Sequence, residues 1–182
     1  METLSDILEF NEKFVENKDY EPYITSGLPE KRMVILSCMD TRLVELLPRA
    51  MNLKNGDVKI VKNAGAVVSH PFGSIMRSIL VGVYELQADE VLVIGHHDCG
   101  MGKVDPKKLL DKMENSVSKE VVSTLQHAGM DLEKWLQGFT TVHDGVRNSV
   151  DMIKNHPLLP KDTPVHGLVI DPETGKLELV EK

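Results

Sequence analysis

Four apolar runs, each closed off by turn residues or charges, constrain this chain more than any other feature. They are "MVILS" (33–37), "VKIV" (58–61), "VLVIG" (91–95) and "GLVID" (167–171). Runs of this kind, with little polar alternation, predict strands buried on both faces, as in a parallel sheet. The segments between them have helix length: "TRLVELLPRAM" after the first run, "GSIMRSILVGVYELQ" after the second, and the stretch from Pro106 to about Ile153 after the third, with room for two or three helices. Strands that alternate with helices predict an α/β fold: a mainly parallel central sheet of four strands, flanked by helices and joined by right-handed crossovers. The tail "DPETGKLELV" differs, because Pro172 and Gly175 turn the chain into a short alternating segment. That segment predicts an antiparallel C-terminal edge strand.

Ahead of the first strand, apolar residues recur at helical spacing from Leu4 to Val15, and Pro22, Gly27 and Pro29 then break the pattern. Residues 1–28 therefore read as an N-terminal helical arm leading into one domain that spans 1–182. No stretch approaches the roughly 20 apolar residues of a membrane span. The first residues are acidic and amphipathic, unlike a signal peptide, so the expected location is cytoplasmic. A net charge of −7, aromatics at 4% and no Lys/Arg block argue against nucleic acid as a partner.

The chain has two cysteines, each inside a polar cluster at the carboxyl end of a predicted strand: Cys38 in "CMDTRL" (38–43) and Cys99 in "HHDCG" (96–100). The ligand crevice of an open α/β sheet lies at such ends, where strand order reverses. In a reducing compartment the pair points to metal or chemistry, the bland alternative being two buried apolar thiols. His96 and Cys99 are close enough in sequence to chelate one ion, and Cys38 adds a second thiolate. A Cys2His set favours zinc, and three protein ligands leave the fourth position free, as in catalytic sites. Asp40 and Arg42 alternate with Cys38 along an extended chain, which turns all three toward the crevice. There Arg42 can grip Asp40 through a bidentate fork, although Asp40 can equally cap the helix beginning near Arg42.

The two clusters resemble the C-x-D-x-R and H-x-x-C signatures of β-class carbonic anhydrases. The resemblance runs from the helical arm through "KNAGA" (62–66) and "GSIMRSILVGVYEL" (73–86) to the terminal hairpin. It implies one Zn2+ per chain held by Cys38, His96 and Cys99, with Asp40 and Arg42 as a catalytic dyad. The implied reaction is reversible hydration of carbon dioxide to bicarbonate and a proton by zinc-bound hydroxide. The implied assembly is a homodimer or larger homo-oligomer, with the arm crossing to the partner. His97 stands where the family more often has Ser or Thr. It is a candidate proton shuttle, with a reference pKa of about 6.5, or else a packing residue of the loop. Gly65 is a candidate backbone contact to substrate. Asp98 matches the motif and reads as a cap or a loop-orienting residue. Three other readings stay open: a hydrolase of carbonyl sulfide or carbon disulfide, a zinc-binding regulatory module in which Asp40 closes the tetrahedron, and a redox pair that would leave His96 and the dyad unexplained.

Overall fold

A computed structural model describes residues 3–114 and 116–182. The first two residues of the expected 1–28 arm, and Asn115 within the 106–153 stretch, lie outside the described residues. The apolar runs become β1 (Met33–Cys38), β2 (Lys59–Asn63), β3 (Glu90–His96) and β4 (Val165–Ile170), and the tail becomes β5 (Leu177–Glu181). The sheet order is β2-β1-β3-β4-β5, the first four strands parallel and β5 antiparallel to β4. β1 and β3 are buried almost throughout, as runs without alternation require. β2 departs from that expectation: it lies at the sheet edge, its residues alternate between half-buried and exposed, and Ile60 is 39% exposed. An apolar run reports local hydrophobicity and carries no record of how many neighbours a strand will have.

Seven α-helices accompany the sheet among the described residues: α1 (Thr3–Glu16), α2 (Leu43–Ala50), α3 (Ser74–Tyr84), α4 (Pro106–Glu114), α5 (Lys119–His127), α6 (Leu132–Leu136) and α7 (Val142–Lys154). The 106–153 stretch therefore holds four helices, where sequence reasoning allowed two or three. The additional breaks have local causes. Gly129, at φ +88°, follows α5, the Asp131 side chain accepts from Lys134 N to start α6, and Thr141 accepts from Asp144 N to start α7.

α2 covers one face of the sheet, setting Leu43 and Leu47 against Ile35, Ile94 and Ile170. α3 and α7 cover the other, with Met76, Ile79, Val146 and Val150 packed on Val34, Leu36 and Val93. Each such fully buried side chain contributes about 1.5–3 kcal/mol. α7 comes close because Gly95 has no side chain: a Cβ there would lie 2.8 Å from both Val142 Cγ2 and Val146 Cγ2. The chain leaves β1 through α2 to β2, then returns through α3 to β3 on the opposite side of β1. Strand order thus reverses between β1 and β3, whose carboxyl ends carry Cys38 and His96.

α1 buries none of its residues, and Leu4, Ile7, Leu8 and Phe10 are 70%, 58%, 55% and 70% exposed. It presents an apolar stripe with nothing of its own chain to cover it. Among the described residues no helix is long and apolar enough to cross a membrane.

Candidate metal centre

Cys38 ends β1, His96 ends β3, and Cys99 follows in the tight loop that begins there. All three are buried, and their ligand atoms lie within 4.8 Å of one another. The two sulfurs are 3.9 Å apart, within hydrogen-bonding distance, and that contact lowers the Cys38 thiol while it drives Cys99 above the ordinary thiol range, so that one of the pair ionises readily and the other does not. The Gly65 amide, 3.4 Å from Cys38 Sγ, also donates to it. His96 Nδ1 is 2.8 Å from the His97 carbonyl, which can only accept, so Nδ1 carries the proton and Nε2 keeps its lone pair. That Nε2 is buried with no hydrogen-bond partner. A buried acceptor left unpaired costs about 1–3 kcal/mol, and a cation shared with two soft sulfurs would remove that cost. The donor set therefore fits zinc in its chemistry as well as its spacing.

Asp40 stands beside the trio, its Oδ2 3.7 Å from His96 Nε2. Arg42 binds it in three places: backbone N to Oδ1 at 2.9 Å, Nε to Oδ1 at 3.0 Å and Nη2 to Oδ2 at 2.8 Å. The guanidinium fork is the main reason that the Asp40 carboxyl is held well below the usual carboxylate range. Strand alternation is not what brings the pair together, contrary to the sequence reading. β1 ends at Cys38, the chain turns, and Arg42 is already in the right-handed helical region at φ −62°, ψ −24°. Nor is helix capping the whole role of Asp40: the residue at the N-cap of α2 is Arg42, and Asp40 holds its backbone and its guanidinium together. Asp98, at φ +54°, forms an ion pair with Lys103 and places Oδ2 3.8 Å from Arg42 Nη1, so it orients the loop and touches the far end of the fork.

Gly65 lies buried at φ +81° with its amide aimed at Cys38. The space its side chain would take is filled by Met101 and Phe139, which would lie 2.9 Å and 3.1 Å from a Cβ. His97 is exposed. Its ring centroid is 6.0 Å from that of His143, and His143 Nε2 is in turn 3.2 Å from Glu178 Oε1. Three residues beside the centre escaped sequence reasoning. Lys62 Nζ donates to the Cys38 carbonyl at 3.4 Å, and burial pushes its ammonium down while Cys38 and Asp40 pull it up. Met101 and Phe139 wall the trio on its apolar side. Lys62 was legible as a charge ending a strand next to "NAG"; Phe139, far along the chain, carried no local signal.

The family model described as carbonic anhydrase matches residues 33–177. The Bacillus subtilis protein named "Putative carbonic anhydrase YtiB" is 61% identical over 181 residues, covering 99% of this chain and 97% of its own length. A crystal structure of beta-carbonic anhydrase isoform I from Trichomonas vaginalis superposes with a TM-score of 0.88 at 32% identity, covering 100% of this chain and 99% of that one. A protein of Saccharolobus solfataricus named carbon disulfide hydrolase is 29% identical over 181 residues, covering 92% of this chain and 86% of its own.

Proposed function

This chain belongs to the β-class carbonic anhydrase family, and from that premise we propose that it catalyses the reversible hydration of carbon dioxide to bicarbonate and a proton, with one zinc ion held by Cys38, His96 and Cys99. The observation that carries the proposal is the buried lone pair of His96 Nε2, converging with two sulfurs and lying 3.7 Å from a carboxylate that arginine keeps ionised. When bound, zinc supplies a Lewis acid that makes hydroxide available near neutral pH, since it lowers the pKa of water from 15.7 to about 7.

The chain's own residues do the rest. Asp40 Oδ2 accepts a hydrogen bond from the attacking oxygen and so turns a lone pair toward the carbon. Arg42 keeps Asp40 anionic and occupies both carboxylate oxygens, which holds it off the metal position. Gly65 acts through Cys38, its amide moderating the charge on that thiolate. His97 passes the released proton outward, toward His143 and Glu178 at the surface. Turnover of His97→Thr should fall in weak buffer and recover with added imidazole; equal rates in both buffers would leave His97 a packing residue.

The exposed stripe of α1 supports a homodimer or larger assembly in which the arm lies on a second copy. Two reduced thiols as ligands fit a cytoplasmic location. Hydrolysis of carbon disulfide or carbonyl sulfide is the second reading, favoured by the Saccharolobus solfataricus relative. Stopped-flow assays of zinc-loaded protein with each substrate decide between them. Hydration at a rate well above that of the carbon disulfide reaction is expected, and the reverse order would overturn the primary reading.

A further inference from the structure

Residues 54–57 form the turn between α2 and β2, and the chain returning from the arm lies on it. Asp57 N donates to Lys54 O at 3.1 Å, and the Asp57 carboxylate accepts from Lys54 N at 2.9 Å. Asn55 and Gly56 are the central residues, with Gly56 at φ +92°, a conformation that glycine takes at no steric cost. Asn55 Nδ2 donates to Tyr23 O at 2.7 Å, Glu30 N to Gly56 O at 3.0 Å and Lys31 N to Asp57 O at 2.8 Å. Thr25 packs so closely over Gly56 that a Cβ there would collide with its Oγ1.

Asn-Gly occurs once in the chain. The side-chain amide carbon of an asparagine is an electrophile within reach of the next backbone nitrogen, and glycine offers that nitrogen without a side chain to hinder the approach. Asn55 is exposed, and the Gly56 amide donates to no group among the described residues, so no hydrogen bond there withholds it.

We infer that Asn55–Gly56 is a self-modification site that releases the arm, with water as the co-reactant. Gly56 N yields its proton to solvent and bonds to Asn55 Cγ; the Cγ–Nδ2 bond breaks, the nitrogen leaves as ammonia, and a succinimide closes. Water then opens the ring, giving aspartate where it cleaves the new bond and isoaspartate where it cleaves the original peptide bond. The nitrogen that leaves is the one that holds Tyr23. A carboxylate now faces the Tyr23 carbonyl, acceptor against acceptor, so the tether cannot form again. Isoaspartate also inserts a methylene into the main chain ahead of Gly56, which moves that residue from beneath Thr25. α1 buries none of its residues, and the bond from Lys59 Nζ to Gly27 O, at 2.7 Å, is left to hold the segment. The inference stands apart from the proposed reaction, since the turn contributes nothing to the metal centre.

The test holds full-length, zinc-loaded protein for days at mildly alkaline pH, then maps it by peptide mass spectrometry with isoaspartyl methyltransferase labelling. Amide loss at Asn55 should run about tenfold faster than at any other asparagine. Asn55→Gln, whose longer side chain closes a less favourable ring, should abolish it. Chymotryptic cleavage after Tyr23, whose carbonyl is the one tethered, should accelerate about fivefold in converted protein and in Asn55→Asp, with zinc content unchanged. If Asn55→Asp does not fold, the aged wild type gives the same reading. An Asn55 that keeps its amide while other asparagines convert overturns the site. Conversion with cleavage after Tyr23 unchanged overturns the release of the arm.

Discussion

Arg42 decides what Asp40 can be. A carboxylate whose Oδ2 lies 3.7 Å from His96 Nε2 would have two cationic partners within reach, a metal ion held by the proposed trio and the guanidinium, and the fork at 2.8–3.0 Å commits it to the second. Arg42→Ala should therefore keep its zinc but lose hydration activity by about 10²-fold or more. X-ray absorption should then show a carboxylate oxygen at the metal; a variant as active as the wild type would remove the fork from the mechanism. The same pair sets an acid limit on stability. The folded-state pKa of Asp40 is depressed, chiefly by the Arg42 fork, so its contribution is complete above the unfolded value of about 3.9 and is lost as pH falls below it. Arg42→Ala should flatten that acid limb of the urea-unfolding midpoint. The meeting of Cys38, His96 and Cys99 and the pairing of Asp40 with Arg42 were legible in the sequence because Cys, His, Asp and Arg are rare together at strand ends. Met101 and Phe139 were not, because their types are ordinary and only the fold brings them beside Gly65.

At the scale of elements, sequence patterning succeeded where burial is uniform. β1 and β3 lie inside the sheet and declare themselves as apolar runs, whereas β2, KIVKN, is more polar, with lysines at both ends of its apolar pair, and takes a half-exposed edge position. The 106–153 stretch was under-divided because its breaks rest on single residues, Gly129 and the caps Asp131 and Thr141. α1 was read correctly as an amphipathic helix, and its exposure of Leu4, Ile7 and Phe10 turns that reading into a prediction about assembly. Deleting the chain through Ser26 should weaken self-association at least tenfold by sedimentation velocity. A truncated protein that remains as tightly associated as the full chain would place the interface elsewhere.

The whole molecule is arranged around one topological fact, the reversal of strand order between β1 and β3. It delivers Cys38 from one strand and His96 with Cys99 from another to a single buried point, with α2 and α7 packed on opposite faces beneath it. It also separates the charged groups, Asp40 with Arg42 and Asp98, from the apolar wall of Met101 and Phe139. The most direct test of this account is stopped-flow hydration of carbon dioxide across neutral pH, made on protein whose zinc content is measured in the same sample. About one zinc per chain is predicted, with a rate that rises with pH through about 7 and is absent from Cys38→Ser together with its metal. Full zinc occupancy without hydration, or hydration undiminished after Cys38→Ser, would contradict it.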